Sequence, residues 1–159
     1  MTNLMSPNAC RVQEVLDGLG LKQRVREMDQ TTRSAEDAAR AVGCEVGQIA
    51  KSLVFKGATS QQAILVITSG ANRVNETGLA RLIGEPVLKA NADFVRAKAG
   101  YAIGGVPPVG HPHPLAVFID EDLMKYPCIW AAAGSPKAVF HLSPQELERI
   151  TAGRIICVK

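Results

Sequence analysis

The stretch from residue 100 to residue 114 constrains the fold of this chain most. It contains four glycines and four prolines. Proline has no backbone N–H and a fixed φ, and glycine is the residue that readily enters left-handed conformations, so this composition excludes a regular helix or strand. We therefore expect a shaped loop that separates the regular elements before it from those after it.

The rest of the chain alternates between helical and extended patterns. Capping residues and apolar periodicity predict helices that begin near Ser6, Ser34, Asn75, Asn91 and Ser143. Strands are predicted over residues 23–28, 49–56, 63–68, 86–88, 115–120, 129–133, 138–142 and 154–158. Because hairpins alternate with crossovers, the pattern favours an α/β (α+β mixed) fold with a mixed, barrel-like sheet flanked by helices.

Length and charge set further limits. A chain of 159 residues is the size of one domain, and we expect residues 1–159 to form a single one. The formal net charge is +3, which is weak for a dedicated nucleic-acid coat. That charge is compatible with a local positive face for a few phosphates and equally with a mixed solvated surface.

The four cysteines and the hydropathy pattern bear on the cellular setting. The cysteines lie far apart with no C-x-x-C pair, and the apolar neighbours of Cys128 and Cys157 predict that both are buried. Residues 1–7 lack the apolar core of a signal peptide, and no apolar run approaches ~20 residues. We expect a reduced, cytoplasmic protein without membrane contact.

Lys51 is the first candidate site residue. Alternation along the predicted strand places it on one face with Leu53 and Phe55. Lysine is rarely buried without a partner, so Lys51 either extends from the strand end to water or provides a cation at a cavity mouth. The pattern leaves both interpretations open.

The glycine–proline stretch is the second candidate. Its glycines allow backbone N–H groups to approach a ligand closely, and such groups can bind a carbonyl oxygen or an oxyanion. A purely structural crossover is the alternative. No Gly-Lys-Ser/Thr and no dinucleotide fingerprint is present, so we expect no cofactor.

A metal site has weaker support. His111 and His113 are two residues apart, and Asp120 is the acid that could join them. No further histidine, cysteine or acid stands at ligand spacing, so we expect no metal and keep a metal-dependent hydrolase as a minor hypothesis.

Four short stretches together resemble the YbaK/ProX family, relatives of the editing domain inserted in bacterial prolyl-tRNA synthetases. They are residues 49–55, residues 100–110, residues 118–120 and residues 132–135. The lysine strand followed by a Gly-Gly-x-x-Pro-x-Gly loop is the most specific part. The resemblance spans about residues 34–158.

This resemblance implies an aminoacyl-tRNA deacylase with a barrel-like sheet. Its substrate would be the acceptor end of a mischarged tRNA, usually one for proline carrying Ala, Cys, Ser, Thr or 2-aminobutyrate. Lys51, Gly104 and Gly105 would be catalytic. The substrate-binding residues implied are Phe55, Pro108, Gly110, His111, Asp120, Gly134 and Ser135.

A second hypothesis uses the same fold without turnover. Ala99 and Pro107 depart from residues that many relatives have, and this favours a non-catalytic module that binds aminoacyl-tRNA or a synthetase. Under either hypothesis prolyl-tRNA synthetase is a possible partner, and the protein is a monomer or a homodimer.

Overall fold

The computed structural model describes residues 5–159, which form five α-helices and eight β-strands. The helices are α1 (Pro7–Gly18), α2 (Ala35–Val42), α3 (Glu76–Ile83), α4 (Ala92–Ala99) and α5 (Pro144–Thr151). The strands are β1 (Arg26–Glu27), β2 (Ile49–Gly57), β3 (Ala63–Ser69), β4 (Val87–Lys89), β5 (Ala116–Asp120), β6 (Ile129–Ala132), β7 (Ala138–Leu142) and β8 (Arg154–Ile156). Short 3-10 helices occupy Val46–Gln48 and Glu121–Lys125.

All eight strands belong to one mixed sheet. The hydrogen-bonded order is β1-β7-β6-β2-β3-β5-β8, and β4 pairs with β2 beside this path. The β2–β3 and β6–β7 pairs are antiparallel hairpins, whereas β2–β6, β3–β5 and β5–β8 are parallel. The predicted α/β class, with a mixed sheet flanked by helices, is confirmed.

The helices begin where the capping residues predicted. Four capping side chains each accept a hydrogen bond from a backbone N–H in the first turn of the helix that follows. They belong to Ser34, Asn75, Asn91 and Ser143. Such bonds satisfy donors that a helix start leaves unpaired, and each stabilises the fold by about 1 kcal/mol. α1 begins in the same way after Ser6.

Strand β2 is central to the position of the site, because its two edges are paired differently. The Gly57 N–H donates to the Gln62 carbonyl, and the Gly70 N–H donates to the Ile49 carbonyl. The backbone N–H and C=O groups of the odd-numbered residues of β2 therefore point toward β3. The backbone N–H and C=O groups of the even-numbered residues point toward the other edge of β2. At that edge β6 pairs only with residues 49–50, and β4 pairs only with residues 55–57. Between them, residues 51–54 have no strand partner at this edge, where the Val54 carbonyl alone is paired, accepting from the Ala90 N–H over 3.2 Å; we call this segment the β2 gap.

The sheet buries apolar residues on both faces. A large cluster on one face joins α1, α5 and the loop after α4 to Val54, Leu65 and Ile67. A smaller cluster on the other face contains Phe55 and Val66 beneath α3. Alternation along β2 and β3 explains this division, because successive side chains point to opposite faces.

Two details differ from the sequence prediction. The first strand is shorter than predicted, because only Arg26 and Glu27 pair with β7. Burial of the two cysteines was wrongly predicted: Cys157 is exposed, since it follows the edge strand β8, and Cys128 is half-buried. None of the helices within residues 5–159 has both the length and the apolar character to span a membrane.

Candidate functional site

Two cavities meet at the β2 gap. The larger has a volume of about 520 Å³ and lies toward β4 and α3, and the smaller, of about 180 Å³, lies toward α2 and β6. Five residues line both of them, namely Lys51, Ser52, Leu53, Ile103 and Val106. The glycine–proline stretch therefore lies alongside β2 where the sheet lacks a neighbouring strand.

Lys51 lies at the junction of the two cavities. The side chain is half-buried, and among residues 5–159 no carboxylate lies within salt-bridge distance of it. Phe55 follows on the same face, is 1% exposed and lines the larger cavity. Lys51 therefore lines both cavities, and its role as a cation at a cavity mouth stays a prediction.

Ser52 adds unpaired polar groups at the same point. Its N–H and C=O point toward the β2 gap, because even-numbered residues face that edge and neither β6 nor β4 reaches it. Its hydroxyl is buried and has no hydrogen-bond partner among the described residues. Buried polar groups are nearly always paired, so a cluster of unpaired ones here marks a place for a polar ligand.

The two adjacent glycines of the loop have different environments. Gly104 lines the smaller cavity with φ of +88°, and its N–H has no hydrogen-bond partner within residues 5–159. Gly105 donates its N–H to the Ala102 carbonyl over 2.9 Å. Gly104 therefore has a free donor in this conformation, and Gly105 does not.

Gly105 instead fixes the loop against the turn between β6 and β7. Its carbonyl accepts from the Gly134 N–H over 2.8 Å. A Cβ at Gly105 would lie 3.0 Å from backbone atoms of Ser135, so a larger residue would have to push this turn away by a few tenths of an ångström. Gly134 and Ser135 thus support the loop from behind, and neither lines the two cavities.

The later part of the loop packs away from the cavities. Pro108 is buried, and a Cβ at Gly110 would lie 3.1 Å from Cγ2 of Val15 in α1. The Nε2 atom of His111 lies 2.7 Å from the Pro107 carbonyl, and burial lowers the pKa of this imidazole although the contact with that carbonyl opposes the shift. These residues shape the loop and do not line either cavity.

Asp120 is fully buried at the end of β5. Its carboxylate accepts from the Ser69 N–H over 2.9 Å, from the Thr68 hydroxyl and from the side-chain amide of Asn72 over 2.8 Å. It does not line a cavity, whereas Asn72 lines the larger one. Asp120 therefore reaches the site only through Asn72.

The charges around the two cavities are mostly positive. Arg73 and Lys89 line the larger cavity with Lys51, and Glu76 is the acid beside them. Arg33 lines the smaller cavity, where its side chain lies over Gly104. Within residues 5–159, no group of three His, Cys, Asp or Glu side chains is placed to hold a metal ion, and His111, His113 and Asp120 form no such group.

Comparison with known proteins places this geometry in a family. The family model of the aminoacyl-tRNA editing domain matches residues 29–150. This range includes the β2 gap, the glycine–proline stretch and all the residues that line the two cavities. The chain belongs to this editing-domain family. The resemblance inferred from the lysine strand and the glycine loop is confirmed.

Similar proteins agree with that assignment. A crystal structure of a candidate trans-editing enzyme for prolyl-tRNA synthetase is 46% identical, covers 98% of this chain and 99% of its own, and gives a TM-score of 0.93. EbsC of Enterococcus faecalis, named as a candidate Cys-tRNA(Pro)/Cys-tRNA(Cys) deacylase, is 29% identical over 76% of this chain and 74% of its own. Proline–tRNA ligase of Limosilactobacillus fermentum is 29% identical over 57% of this chain and 16% of the ligase.

Several residues that line the two cavities were not among the site residues predicted from the sequence. They are Ser52, Leu53, Asn72, Arg73, Lys89, Ile103, Val106 and Trp130. Ser52 directly follows the lysine that was singled out, so its position was a usable signal. Arg73, Lys89 and Trp130 come from separate elements, and only the folded sheet brings them to the cavities.

Proposed function

We propose that this editing domain hydrolyses the ester that joins a wrong amino acid to the terminal adenosine of a tRNA. The observation that carries the proposal is the meeting of two unequal cavities at Lys51 and the β2 gap. A 3′-aminoacyl-adenosine has two parts of unequal size, joined by the ester that is to be cleaved. The junction is the position at which that ester would lie.

The smaller cavity suits the amino-acid side chain. Its walls include small and apolar residues of α2, β2 and β6, namely Ala35, Ala38, Ile49, Ala131, Ala132 and Trp130. A volume of about 180 Å³ admits a short side chain together with the ester. The larger cavity, with Lys51, Arg73 and Lys89, suits the adenosine and its phosphate because these cations complement a phosphodiester.

The reaction needs no covalent nucleophile, because an aminoacyl ester is already activated. The protein has to hold the ester, admit a water molecule and stabilise the negative charge that develops on the carbonyl oxygen. The free N–H of Gly104 and the gap-facing N–H of Ser52 are the donors we assign to that oxygen. Lys51 orients the phosphate or the carbonyl region, and the neighbouring ribose hydroxyl can assist the water.

The substrate we propose is tRNA for proline carrying Ala, Cys, Ser, Thr or 2-aminobutyrate. The names of EbsC and of the trans-editing relative support this choice, as does the size of the smaller cavity. Steric exclusion of the proline ring protects the correct product. Steric exclusion of proline discriminates more strongly than attraction of the wrong amino acid, because one methylene contributes only about 1–3 kcal/mol of discrimination in an apolar pocket.

The partners follow from the substrate. We propose that the domain acts as one unit on free tRNA or beside prolyl-tRNA synthetase, as a monomer or homodimer. We favour hydrolysis over the non-catalytic binding module, because deacylation and editing are what the two similar proteins are named for.

The test is a panel of tRNAs for proline charged with Ala, Cys, Ser, Thr, 2-aminobutyrate or proline. We expect hydrolysis of at least one small aminoacyl ester well above the spontaneous rate, and no acceleration for the prolyl ester. Binding of the charged tRNAs without any acceleration would support the non-catalytic module and contradict the deacylase.

A further inference from the structure

Asn72 lies in the turn that follows β3 and forms part of the wall of the larger cavity. Its Nδ2 group donates two hydrogen bonds, one to Oδ2 of Asp120 and one to Oδ2 of Asp122, each over 2.8 Å. An amide nitrogen carries two hydrogens, and an ionised carboxylate only accepts. The two bonds therefore use both hydrogens and determine which end of the amide is the nitrogen.

Both carboxylates are held in place from behind the cavity wall. Asp120 is fully buried, and Asp122 forms ion pairs with Lys125 over 2.7 Å and with Lys159 over 3.1 Å. The hydrogen bond from Lys125 lowers the pKa of Asp122 most, followed by those from Asn72 and Lys159, so this carboxylate stays ionised at neutral pH. Neither carboxylate lines either cavity.

The carbonyl end of the same amide, Oδ1 of Asn72, accepts no hydrogen bond from a group within residues 5–159. Nδ2 points to the carboxylates behind the wall, so Oδ1 points away from them. Lys51 and Arg73 line the same cavity, and Glu76, the acid of this lining, is exposed. A fixed acceptor thus stands among cations, and a ligand can supply the donor that it lacks.

The strand register places Asn72 at the Lys51 end of the larger cavity. Lys51 pairs with Thr68, and the Asn72 N–H donates to the carbonyl of the next residue, Ser69, over 3.0 Å. Lys89 lies at the other end of the opening, where β4 pairs with β2. Asn72 is therefore close to the junction of the two cavities.

We propose that Oδ1 of Asn72 accepts a hydrogen bond from the free 2′-hydroxyl of the terminal adenosine, beside the 3′-ester. The inference rests on the proposed function, because it places the ester at the junction and the adenosine in the larger cavity. The ribose is the part of the adenosine next to the ester, and its 2′-hydroxyl is the group that distinguishes RNA from DNA. A hydroxyl that donates to Asn72 keeps its own oxygen free to accept from the attacking water.

The two carboxylates give Asn72 its selectivity. An amide that rotates freely can present either a donor or an acceptor to a ligand. Rotation of Asn72 would turn Oδ1 toward Asp120 and Asp122 and would break both hydrogen bonds. The cavity therefore keeps an acceptor at this position, which matches a hydroxyl hydrogen and repels a phosphate oxygen.

The first test measures binding of an acceptor-stem RNA whose terminal adenosine carries alanine through a 3′-amide, which the protein does not need to hydrolyse. Two forms are compared, one with the 2′-hydroxyl and one with 2′-deoxyadenosine at the end. Wild type should bind the hydroxyl form about threefold to tenfold more tightly, the scale of one neutral hydrogen bond. Equal affinities of wild type for the two forms would overturn the proposal without any variant.

Asn72→Ala should bind the two forms equally. Thr68→Val is the matched control, because the Thr68 hydroxyl donates to the same Asp120 carboxylate and lines neither cavity. This control should keep the wild-type preference even if it is less stable. A preference that survives in Asn72→Ala, or one that is lost in both variants, would assign the effect to the fold and not to the Asn72 oxygen.

The 6-amino group of adenine is the other donor that the terminal nucleoside offers. The second test therefore repeats the comparison with RNA that ends in purine riboside, which lacks this amino group. Asn72→Ala should weaken binding of this RNA by the same factor as for adenosine. A factor that disappears with purine riboside and persists with 2′-deoxyadenosine would assign Asn72 to the base and overturn the assignment to the hydroxyl.

These binding results are independent of turnover. A protein that prefers the 2′-hydroxyl through Asn72 but accelerates no ester hydrolysis would contradict the proposed function and leave this assignment intact. A protein that hydrolyses mischarged tRNA but binds the two amide forms equally would contradict the Asn72 assignment alone.

Discussion

The side-chain amide of Asn72 donates to Oδ2 of the buried Asp120 over 2.8 Å, and this bond ties the wall of the larger cavity to the end of β5. The same carboxylate accepts from the Ser69 N–H. One buried group thus holds both the end of β3 and the turn that carries Arg73. The same amide also donates to Oδ2 of Asp122 over 2.8 Å, so Asp120 and Asp122 together hold the turn that carries Arg73.

Asp120→Asn should therefore destabilise the fold and weaken substrate binding. An amide replaces one acceptor oxygen by a donor and leaves buried groups unpaired, which costs about 3 kcal/mol. Urea denaturation measures the loss, and an increase in KM larger than the decrease in kcat is expected for the deacylation reaction. Asp37→Asn, which breaks an exposed pair with Arg40, should change stability by less than about 0.5 kcal/mol. Equal losses in the two variants would show that Asp120 has no special role.

Lys51→Met should lower kcat/KM for a mischarged tRNA by roughly 10²–10³, the scale of one lost electrostatic contact to a transition state. The melting temperature should not fall, because Lys51 has no ion-pair partner among the described residues. Lys56→Met is the control on the same strand, where Lys56 lies over the Phe94 ring and lines neither cavity. Full activity in Lys51→Met would remove the lysine from the mechanism.

Gly104→Ala should reduce activity more than stability. Gly104 has φ of +88°, and an added Cβ would lie 2.6 Å from Cγ of Arg33. Arg33 is exposed, but its Cγ is close to the backbone and must shift, so the stability cost should be the backbone strain of about 1 kcal/mol plus that displacement. Gly84→Ala controls for that strain, because φ there is +93° and the space around it is open. Activity that falls equally in both variants would place Gly104 outside the site.

Ala132→Val should change which amino acid is removed. Ala132 lines the smaller cavity, and two added methyl groups shorten the side chain that fits. We expect kcat/KM for the 2-aminobutyryl ester to fall by about 10–200-fold relative to that for the alanyl ester. Ala116→Val, on an exposed position of β5, should leave this ratio unchanged. An unchanged ratio in Ala132→Val would mean that the amino acid lies elsewhere.

His111 predicts a pH dependence of stability. Burial lowers its pKa below the ordinary value of 6.5, so the unfolded chain binds the proton more readily. The buried neutral ring therefore adds to the free energy of unfolding at pH values above the pKa of His111 in the unfolded chain. This contribution is lost as the pH falls from that value toward the lower pKa of His111 in the folded protein. His111→Gln should flatten the decline in the free energy of unfolding between pH 7.5 and pH 5.5. A decline as steep as that of the wild type would assign it to other groups.

Much of this fold could be predicted from local patterns. The capping residues located the helices, because caps are properties of neighbouring residues. Lys51 and the glycine loop predicted a candidate site, and both line the same pair of cavities. The β2 gap could not be predicted, since it depends on where β6 and β4 stop pairing with β2. The different environments of Gly104 and Gly105 also depend on contacts that only the fold creates, with Arg33 and with Ser135.

The β2 gap also bears on how the protein avoids self-association. An open strand edge normally offers a template on which another chain can add a strand. Here β6 closes one end of the opening and β4 closes the other, so the unpaired main-chain groups at this edge are those of Ser52 and the Val54 N–H, a run too short for a typical strand. At β2 the protein can therefore keep unpaired backbone groups open to a small molecule without offering another chain a strand-length edge there.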